Sequence, residues 1–449
     1  MTLSAAPSDQ LPAAGAATVT ATVRDTQSQP VAGAVVLFSG PSGATFSPTS
    51  PVTDSSGIGT TSVDLGAPWT VPGKQETLTA ICNGTSASKS FTVLGSNVVA
   101  VGRTFNAQTQ AYQTQLQFPS PVKQIVGGNP QFFLALLEDG SVWGMGGNDR
   151  GQLGDGTTTS RASWAPVLNL SNVQQIALGY RASFALLSDG TVMAWGWGQV
   201  GMMGTTSRSD RSVPTPVDSS VMKNVTQIMA NGYSAFAVTA EGSLYSWGQG
   251  PLGDGSAPGS VSRSTPGKVA ALGTSVSTAT IQNQAAVALL KDGSVWAWGA
   301  NSDGQVGDGT TVHRGAPVQV IGMTSGVTSI VSGTVMAYAL RSDGTVWAWG
   351  RGDQGSLGNG ATTNSSTPVR VLGVAGVQTL GASEGAGYAV LSDGSLKAWG
   401  YNAYGQLGDS STVNRSTPVT FALPAGRRVV RFGNSSNASS DMLVVTAAV

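Results

Sequence analysis

The residue types on which most catalytic and metal chemistry depends are scarce in this 449-residue chain, which contains a single cysteine, Cys82, and a single histidine, His313. A Cys/His zinc site therefore cannot be assembled, and a Ser-His-Asp or Cys-His arrangement would have to use His313. The residues around His313 predict a loop, and Cys82 is predicted to be a small core residue rather than a nucleophile. We expect no catalytic residue and no enzyme.

Three short patterns could bind an ion or a protein. Asp303 and Asp308 could hold calcium, but the 12-residue loop with its terminal glutamate is missing. The glycine-rich stretch Gly304–Gly309 is followed neither by Lys-Ser/Thr nor by a predicted helix, so turn formation explains it better than phosphate binding. Arg351-Gly352-Asp353 spells a cell-adhesion tripeptide, which coincidence explains better than integrin binding. We expect neither a metal nor a cofactor.

Aromatic residues near predicted turns are the candidate ligand-binding residues. They are Trp164, Tyr180, Trp197, Tyr233, Tyr401 and Tyr404. Exposed tyrosine and tryptophan side chains commonly anchor interfaces, and they can stack on sugar rings in the same way. The alternative is that they add packing between neighbouring structural units. The sequence leaves both interpretations open for each residue.

A repeat with a period of 50 to 52 residues must position these side chains. Acidic-glycine turns begin at Asp139, Asp189, Glu241, Asp292, Asp343 and Asp393. Six residues later comes a large apolar side chain followed by glycine: Met145, Trp195, Trp247, Trp298, Trp349 and Trp399. A glycine cluster and a proline then follow in every unit. Each unit predicts four short strands, the size of one propeller blade, with the tryptophans packed between blades.

Two partial units remain at the ends of the repeat region. Val98–Val101 resembles the strand that ends in Trp-Gly, with Val101 in the tryptophan position. Arg428–Phe432 and Met442–Val445 resemble the two strands that come before it. Together they predict a seventh blade with strands from both ends, which would close a ring and leave no exposed sheet edge.

The first 95 residues follow a different pattern. Residues 1–14 are rich in small residues and proline, and they are predicted to be a flexible segment. Between residues 15 and 95, short alternating strands such as Thr18–Val23 and Ser88–Leu94 are separated by turns. This spacing predicts a small β-sandwich.

The repeats resemble the regulator of chromosome condensation family from residue 97 to residue 449. The shared pattern is Asp-Gly-x-Val/Leu-x-x-Trp-Gly followed by Gly-Gln-Val/Leu-Gly, most clearly at Asp292–Gly307 and Asp393–Gly408. The resemblance implies a seven-bladed propeller, and the best-known activity in the family is nucleotide exchange on a small nuclear GTPase with docking on chromatin. The chain departs from the family at one position. Family repeats usually carry a histidine in the strand that precedes the acidic-glycine turn, and here that position is occupied by Phe132, Ala182, Ser234, Ala285, Met336 and Ala386.

Residues 15–95 resemble bacterial immunoglobulin-like domains of the invasin and intimin type, through Ala21–Asp25, Pro30–Phe38 and Thr53–Gly57. Such domains serve as spacers or adhesion modules on bacterial surface proteins and phage virions. The predicted fold class is therefore all-β: an N-terminal immunoglobulin-like β-sandwich (15–95) followed by a seven-bladed β-propeller (96–449) that is closed by strands from both ends of the repeat region.

Charge and hydropathy limit the possible partners. The net charge is +0 and only 10% of residues are charged, so no basic stripe for nucleic acid or for an anionic membrane surface is present. No apolar run is long enough for membrane insertion, and no signal peptide is visible at the start of the chain. We therefore expect no nucleic-acid partner and no membrane partner.

The leading functional prediction is a non-enzymatic binding protein, either a phage virion protein (tail, receptor-binding or decoration) or a bacterial surface attachment protein. One propeller face would bind a protein or glycan on a cell surface, or other virion or surface proteins. The predicted location is the virion or the extracellular cell surface. The alternative is a secreted effector or scaffold that acts on a small GTPase through the propeller. A glycosidase or lyase would need two converging carboxylates, whereas most acidic residues occupy turns.

Overall fold

A computed structural model describes residues 1–6, 10–12, 16–41, 44–65, 75–94, 97–101, 116–128, 131–424, 426–435 and 442–448. Across these residues the chain forms 36 strands and one 3-10 turn, Ala270–Leu272, so the predicted all-β class is confirmed. Within the same residues, no helix is long and apolar enough to cross a membrane. The chain divides into two compact units.

The first unit, Met1–Val98 with Gln108–Val122, contains two four-stranded sheets. Its strands are β1 (Thr2–Ala6), β2 (Gln10–Pro12), β3 (Ala16–Thr22), β4 (Leu37–Ser39), β5 (Thr45–Ser47), β6 (Ile58–Asp64), β7 (Gln75–Cys82) and β8 (Thr85–Leu94). The sheet orders are β1-β3-β6-β5 and β2-β8-β7-β4. Alternate residues of both sheets, such as Val19 and Leu78, fill one apolar core. Cys82 belongs to this core, as predicted.

The first strands of this unit differ from the flexible segment predicted for residues 1–14. Strand β1 pairs antiparallel with β3, from Thr2 opposite Thr22 to Ala6 opposite Thr18. Strand β2 pairs parallel with β8, and its Leu11 side chain is fully buried. The small residues and proline of this segment predicted flexibility, but a strand can pair with a neighbouring strand through its backbone even where it has few large side chains.

The second unit, Val99–Ala107 with Lys123–Val449, contains six sheets that are each built around four consecutive antiparallel strands, and one further sheet of three strands. The first three sheets contain β10 (Val122–Gly128), β11 (Phe132–Leu137), β12 (Val142–Gly146), β13 (Arg161–Pro166); β14 (Val173–Gly179), β15 (Ala182–Leu187), β16 (Val192–Gly196), β17 (Arg211–Pro216); and β18 (Val225–Asn231), β19 (Ser234–Thr239), β20 (Leu244–Gln249), β21 (Ser262–Lys268). The next three contain β22 (Val276–Ile281), β23 (Ala285–Leu290), β24 (Val295–Gly299), β25 (Arg314–Gln319); β26 (Val327–Ser332), β27 (Met336–Arg341), β28 (Val346–Gly350), β29 (Ser365–Arg370); and β30 (Val377–Ala382), β31 (Ala386–Leu391), β32 (Leu396–Gly400), β33 (Arg415–Thr420).

Each acidic-glycine turn joins the second and third strands of its sheet, as predicted. In the fifth sheet Leu340 pairs with Val346 across the turn, and Gly344 has a φ of 77°, where a side chain would be strained. The Asp343 carboxylate accepts a hydrogen bond from the backbone N–H of Thr345 at 2.9 Å. Local turn chemistry therefore determines the register of the hairpin.

The repeated tryptophans lie in the core between sheets, which confirms the predicted packing role. Trp195, Trp247, Trp298, Trp349 and Trp399 are all 0% exposed. Each indole N–H donates to a backbone carbonyl of the preceding repeat, at 2.6 to 3.1 Å; the acceptors are Gln152, Met202, Pro251, Gln305 and Ser356. Met145 occupies the equivalent position in the first sheet and is also buried. One side chain thus supplies both apolar contact and a hydrogen bond to its neighbour.

Strands from both ends of the repeat region pair in one further sheet. It contains β34 (Arg427–Phe432), β36 (Met442–Ala448) and β9 (Val98–Val101), in the order β34-β36-β9. A short strand, β35 (Asn434–Ser435), pairs parallel with β10, so that Val126 lies opposite Asn434. The predicted pairing of Val98–Val101 with the C-terminal strands is therefore present.

Replacement of a buried tryptophan by phenylalanine tests the contribution of the indole hydrogen bond. Trp349→Phe leaves the Gln305 carbonyl buried without its donor, and we expect it to lower the free energy of unfolding by about 1–3 kcal/mol. Trp347→Phe is the matched control on the same strand, because Trp347 is half-buried and its N–H donates only to the adjacent Thr345 hydroxyl. Urea unfolding that shows equal losses for the two variants would contradict this role.

Candidate functional site

The connections between strands gather at two opposite edges of the sheets, because the strands alternate in direction. The acidic-glycine turns form one edge, called here the turn edge. The connections after the first and third strands form the other edge, the loop edge. Five of the six predicted aromatic residues lie on the loop edge: Tyr180, Trp197, Tyr233, Tyr401 and Tyr404.

A buried asparagine organises several of the long loops that follow the third strands. Asn301 is fully buried, and its Nδ2 donates to the carbonyls of Thr310 and Val312 at 3.0 and 3.1 Å. Its Oδ1 accepts from the backbone N–H of Val306 at 2.8 Å. Asn148 and Asn402 make the same contacts in their own repeats. The glycine-rich stretch Gly304–Gly309 is therefore part of a folded loop, as the turn interpretation predicted.

An aspartate–arginine pair completes this loop frame. Arg314 Nε donates to Asp308 Oδ2 at 2.6 Å, and equivalent pairs join Asp155 to Arg161 and Asp409 to Arg415. Burial alone would raise the pKa of Asp308, but hydrogen bonds from Thr310 and Arg314 outweigh it, so the pKa is lowered. Asp303 pairs instead with Arg351 at 3.1 Å. Among the described residues no group of acidic, cysteine or histidine side chains could hold a metal ion.

His313 has a structural partner in the same loop. Its Nδ1 accepts a hydrogen bond from the backbone N–H of Asn301 at 2.9 Å. Asn364 and Asn414 occupy the same position in the next two repeats and accept from the equivalent backbone N–H groups at 3.0 and 2.9 Å. The lone histidine therefore closes a loop, as the loop predicted around it required.

Three of the predicted aromatic residues meet on the loop edge and form a cluster, called here the aromatic cluster: Tyr180, Trp197 and Tyr233. The ring centroids are 5.8 Å apart for Tyr180–Trp197, 5.1 Å for Tyr180–Tyr233 and 5.5 Å for Trp197–Tyr233. Tyr180 and Trp197 follow strands of the second sheet, and Tyr233 follows the first strand of the third sheet. Tyr233 is 37% exposed and the other two are half-buried. The cluster is therefore a surface feature.

Backbone contacts hold the aromatic cluster across the two sheets. The backbone N–H of Tyr180 donates to the carbonyl of Gly232 at 2.6 Å, next to Tyr233. The backbone N–H of Trp197 donates to the carbonyl of Arg181 at 2.8 Å. The loop after Trp197 has Gly198 and Thr205 at the positions of the framing asparagine and aspartate, and glycine also replaces the asparagine in the third and fifth repeats, at Gly250 and Gly352. The cluster thus occurs in one of three repeats that depart from the common loop frame.

Charged groups flank the aromatic cluster, and the sequence analysis did not identify them. The Arg181 guanidinium lies 5.3 Å from the centre of the Tyr180 ring and forms an ion pair with Asp149. Arg150 pairs with Asp210 at 3.3 Å. Arg181 directly follows Tyr180 in sequence, which is the one signal that could have indicated it. Asp149 lies in another repeat, so only the fold brings it close.

The remaining predicted aromatic residues lie apart from the cluster. Tyr401 and Tyr404 follow β32 and contact each other edge to face, with 6.0 Å between ring centroids. Tyr404 is 42% exposed. Trp164 lies within β13 and is half-buried. The structure thus sorts the six residues into a cluster of three, a pair and a single side chain.

Comparison with protein families agrees with this architecture. The profile of the Regulator of chromosome condensation (RCC1) repeat matches residues 139–186, 189–238, 292–340, 343–391 and 393–437. A second profile of the same description matches residues 122–152 and 173–201. The chain belongs to the RCC1 repeat family. The resemblance predicted from the Asp-Gly and Trp-Gly landmarks is confirmed for the repeat region, whereas the invasin-type resemblance of residues 15–95 has no support in these matches.

Several curated proteins are similar to the repeat region. The RCC1 domain-containing protein RUG3, mitochondrial, from Arabidopsis thaliana is 33% identical over 254 residues, which cover 54% of this chain and 57% of RUG3. The human E3 ubiquitin-protein ligase HERC2 is 31% identical over 328 residues, covering 68% of this chain and 7% of HERC2. The Ultraviolet-B receptor UVR8 of Arabidopsis thaliana is 31% identical, covering 57% and 59%. The matches therefore span less than two thirds of these relatives.

Solved structures share the fold at low sequence identity. Human WBSCR16 superposes with a TM-score of 0.64 at 21% identity, over 74% of this chain and 88% of its own. Prp20p from Saccharomyces cerevisiae superposes with a TM-score of 0.61 at 19% identity, over 76% and 84%. The repeat region thus has the RCC1-like propeller fold.

The predicted function as a phage virion or bacterial surface attachment protein is wrong. The similar proteins reported above are RCC1-domain proteins, and one is named as mitochondrial. The virion or extracellular location is contradicted by the same findings. The predicted partners were proteins or glycans on a cell surface, or other virion or surface proteins, and no nucleic acid was expected. This prediction is also contradicted, because Prp20p is described by its binding to Gsp1p and histones. The error arose because a sandwich pattern and low charge indicate a fold and a surface, not an activity.

Substitution of His313 tests its role in the loop. His313→Asn should leave the midpoint of thermal unfolding almost unchanged, because Asn364 and Asn414 make the same hydrogen bond in the next repeats. His313→Ala removes the acceptor for the Asn301 N–H and should cost about 1 kcal/mol. A large loss in the asparagine variant, measured by differential scanning calorimetry, would show that the imidazole has another role.

The lowered pKa of Asp308 predicts a pH dependence of stability. Because its folded pKa lies below the unfolded value of about 4, the carboxylate stabilises the fold above that pH, and the contribution disappears as the pH falls through the lowered pKa. Asp308→Asn should therefore lower the free energy of unfolding at neutral pH, and it should make that free energy depend less steeply on pH in the acid range. Asp353→Asn, which removes an exposed carboxylate, is the control. If the free energy of unfolding falls equally steeply with acid pH in the wild type, Asp308→Asn and Asp353→Asn, the Asp308 carboxylate does not make this contribution.

Proposed function

We propose that the chain is a non-enzymatic scaffold that binds a protein partner at the loop edge of its propeller, and that this partner is a small GTPase. The observation that carries the proposal is the aromatic cluster with its flanking Arg181. Family membership supports the choice of partner class, because nucleotide exchange on a small GTPase is the activity that the family resemblance implies. The fold likeness to Prp20p, described by its binding to Gsp1p and histones, points in the same direction.

The chemistry of the aromatic cluster suits a protein interface. Tyrosine, tryptophan and arginine are the residues most enriched among side chains that dominate binding energy. Aromatic rings lose little conformational entropy on binding, and the mutual contacts of Tyr180, Trp197 and Tyr233 already restrict their rotamers. Arg181 can exchange part of its pairing with Asp149 for a partner carboxylate. The site therefore offers an apolar centre with a charged border, as specific interfaces do.

We further propose that the repeat region is a ring of seven blades. Six blades would be the four-stranded sheets, and the seventh would be the sheet of β34, β36 and β9. The support is the pairing of β35 with β10, which links the last repeat to the first. First-strand residues from six of the seven sheets, including Gln124, Thr278 and Arg431, also line one cavity.

For the N-terminal part we propose an immunoglobulin-like sandwich at residues 15–95, preceded by residues 1–14 and followed by the propeller at 96–449. Support comes from the two four-stranded sheets of the first unit and from their common core. In this proposal the sandwich is a spacer that carries no part of the partner-binding surface, since the aromatic cluster belongs wholly to the repeats.

Release of fluorescent GDP from a panel of small GTPases tests the proposed partner class. We expect the full chain to accelerate release from at least one member, and Trp197→Ala to weaken the effect by about tenfold or more, as loss of a central interface side chain does. Tyr404→Ala, which removes an exposed ring outside the cluster, is the matched control and should retain the effect.

Two results would count against the proposal. If no GTPase in the panel binds the chain or releases nucleotide, the partner class is wrong. If Tyr404→Ala and Trp197→Ala weaken binding equally, the aromatic cluster is not the anchor, although the partner class would stand.

A further inference from the structure

A polar cavity opens among the first strands of the sheets, near the turn edge and away from the aromatic cluster. Its volume is about 560 Å³, within the range typical of small-molecule sites. Gln227, Thr278 and Thr379 are among its lining residues, together with Arg431. A smaller cavity of about 160 Å³ shares Gln227 and Thr278 and extends between the same strands toward the loop edge.

One repeat position supplies the residues that face this cavity. In the six four-stranded repeats the first strand begins with valine, and the third residue of that strand lines the cavity in five of them. In the seventh sheet β34 begins at Arg427, and Arg431, two residues after Val429, also lines the cavity. In the other sheets the lining residues at this position are neutral: Gln124, Gln175, Gln227, Thr278 and Thr379. Arg431 is therefore a departure from the repeat at a position where the repeat otherwise requires only hydrogen-bonding groups.

Two of the glutamines are already used in the fold. The side chain of Gln124 exchanges two hydrogen bonds of 2.9 Å with the backbone of Ile176, and Gln175 does the same with Ile228. These amides bridge neighbouring first strands. By contrast, Arg431 makes no hydrogen bond or ion pair with any residue that the structure describes, and its side chain is exposed to the cavity mouth.

The charge of Arg431 is not neutralised by its surroundings. No carboxylate of the described residues lines the cavity. On the turn edge of the last sheets, Arg370 and Lys397 interact with the carboxylates of Asp343 and Asp393, and none of these four side chains lines the cavity. Because the low-dielectric walls of a cleft focus the field of a charge, a guanidinium that lines a cleft attracts anions more strongly than one on a convex surface.

We propose that this cavity binds a small ligand through an oxyanion group, a phosphate or a carboxylate, anchored on the Arg431 guanidinium. The guanidinium presents paired N–H donors that match two oxygens of such a group. The Gln227 amide and the Thr278 and Thr379 hydroxyls supply additional donors along the wall. The site is independent of the GTPase proposal, because it lies near the opposite edge of the sheets from the aromatic cluster.

Isothermal titration calorimetry on the full chain tests this site, with inorganic pyrophosphate and citrate as separate probes at constant ionic strength. We expect saturable binding of at least one probe, and the preferred probe identifies phosphate or carboxylate as the recognised group. Arg431→Gln should weaken binding by about tenfold or more. Arg428→Gln is the matched control, because it removes the same charge from the same strand outside the cavity and should change affinity less than about twofold.

Equal weakening in Arg428→Gln and Arg431→Gln would show a diffuse charge effect and would overturn the proposal. Absence of saturable heat with both probes would also overturn it. Thr379→Val provides a second test that does not depend on the fold of the arginine variant: it removes one lining hydroxyl and should weaken the preferred probe several-fold. An affinity unchanged by both Arg431→Gln and Thr379→Val would place the bound anion elsewhere.

Discussion

The hydrogen bond from a buried indole N–H to a carbonyl of the preceding repeat is the contact on which the array of sheets depends. Complete burial of one tryptophan is worth on the order of 4–6 kcal/mol as an upper value. Glycine is required beside it: a methyl group placed on Gly307 would lie 2.9 Å from the Trp349 ring, and one on Gly358 would lie 2.8 Å from Trp399. The repeated glycines therefore pack against the repeated tryptophans, and each such contact joins two successive repeats.

This contact also explains why the loop edge can carry a binding surface. The carbonyls that accept the indole hydrogen bonds belong to the long loops, so each loop is held at its base by the next repeat. Asn301, Asp308 and Arg314 then organise the loop itself. In the second, third and fifth repeats glycine replaces the framing asparagine, at Gly198, Gly250 and Gly352, and in the second repeat Trp197 contributes to the aromatic cluster. Departures from the structural pattern are where function is expected, because the repeats that keep the pattern show what packing alone requires.

Much of the fold could be predicted because its signals are local. The Asp-Gly turn, the Trp-Gly strand and the period each lie within about 50 residues, and hairpin geometry follows directly from such signals. The strands within residues 1–12 could not be recognised, because Thr2–Ala6 pairs with β3 through backbone groups that composition does not reveal. The function was predicted wrongly because it depended on an association between module types. A propeller fold is compatible with many partners, and only specific surface residues distinguish among them.

The sequence by itself determined the all-β class, the repeat unit, the core tryptophans and the list of aromatic candidates, since each follows from spacing and residue type. Only the tertiary structure decided which candidates act together. Tyr180 and Tyr233 are 53 positions apart, yet their ring centroids lie 5.1 Å apart because adjacent sheets present equivalent loops side by side. The same reason applies to Arg431, which is one arginine among several in the sequence. It becomes the charged residue of a polar cavity because first strands from six of the sheets converge there.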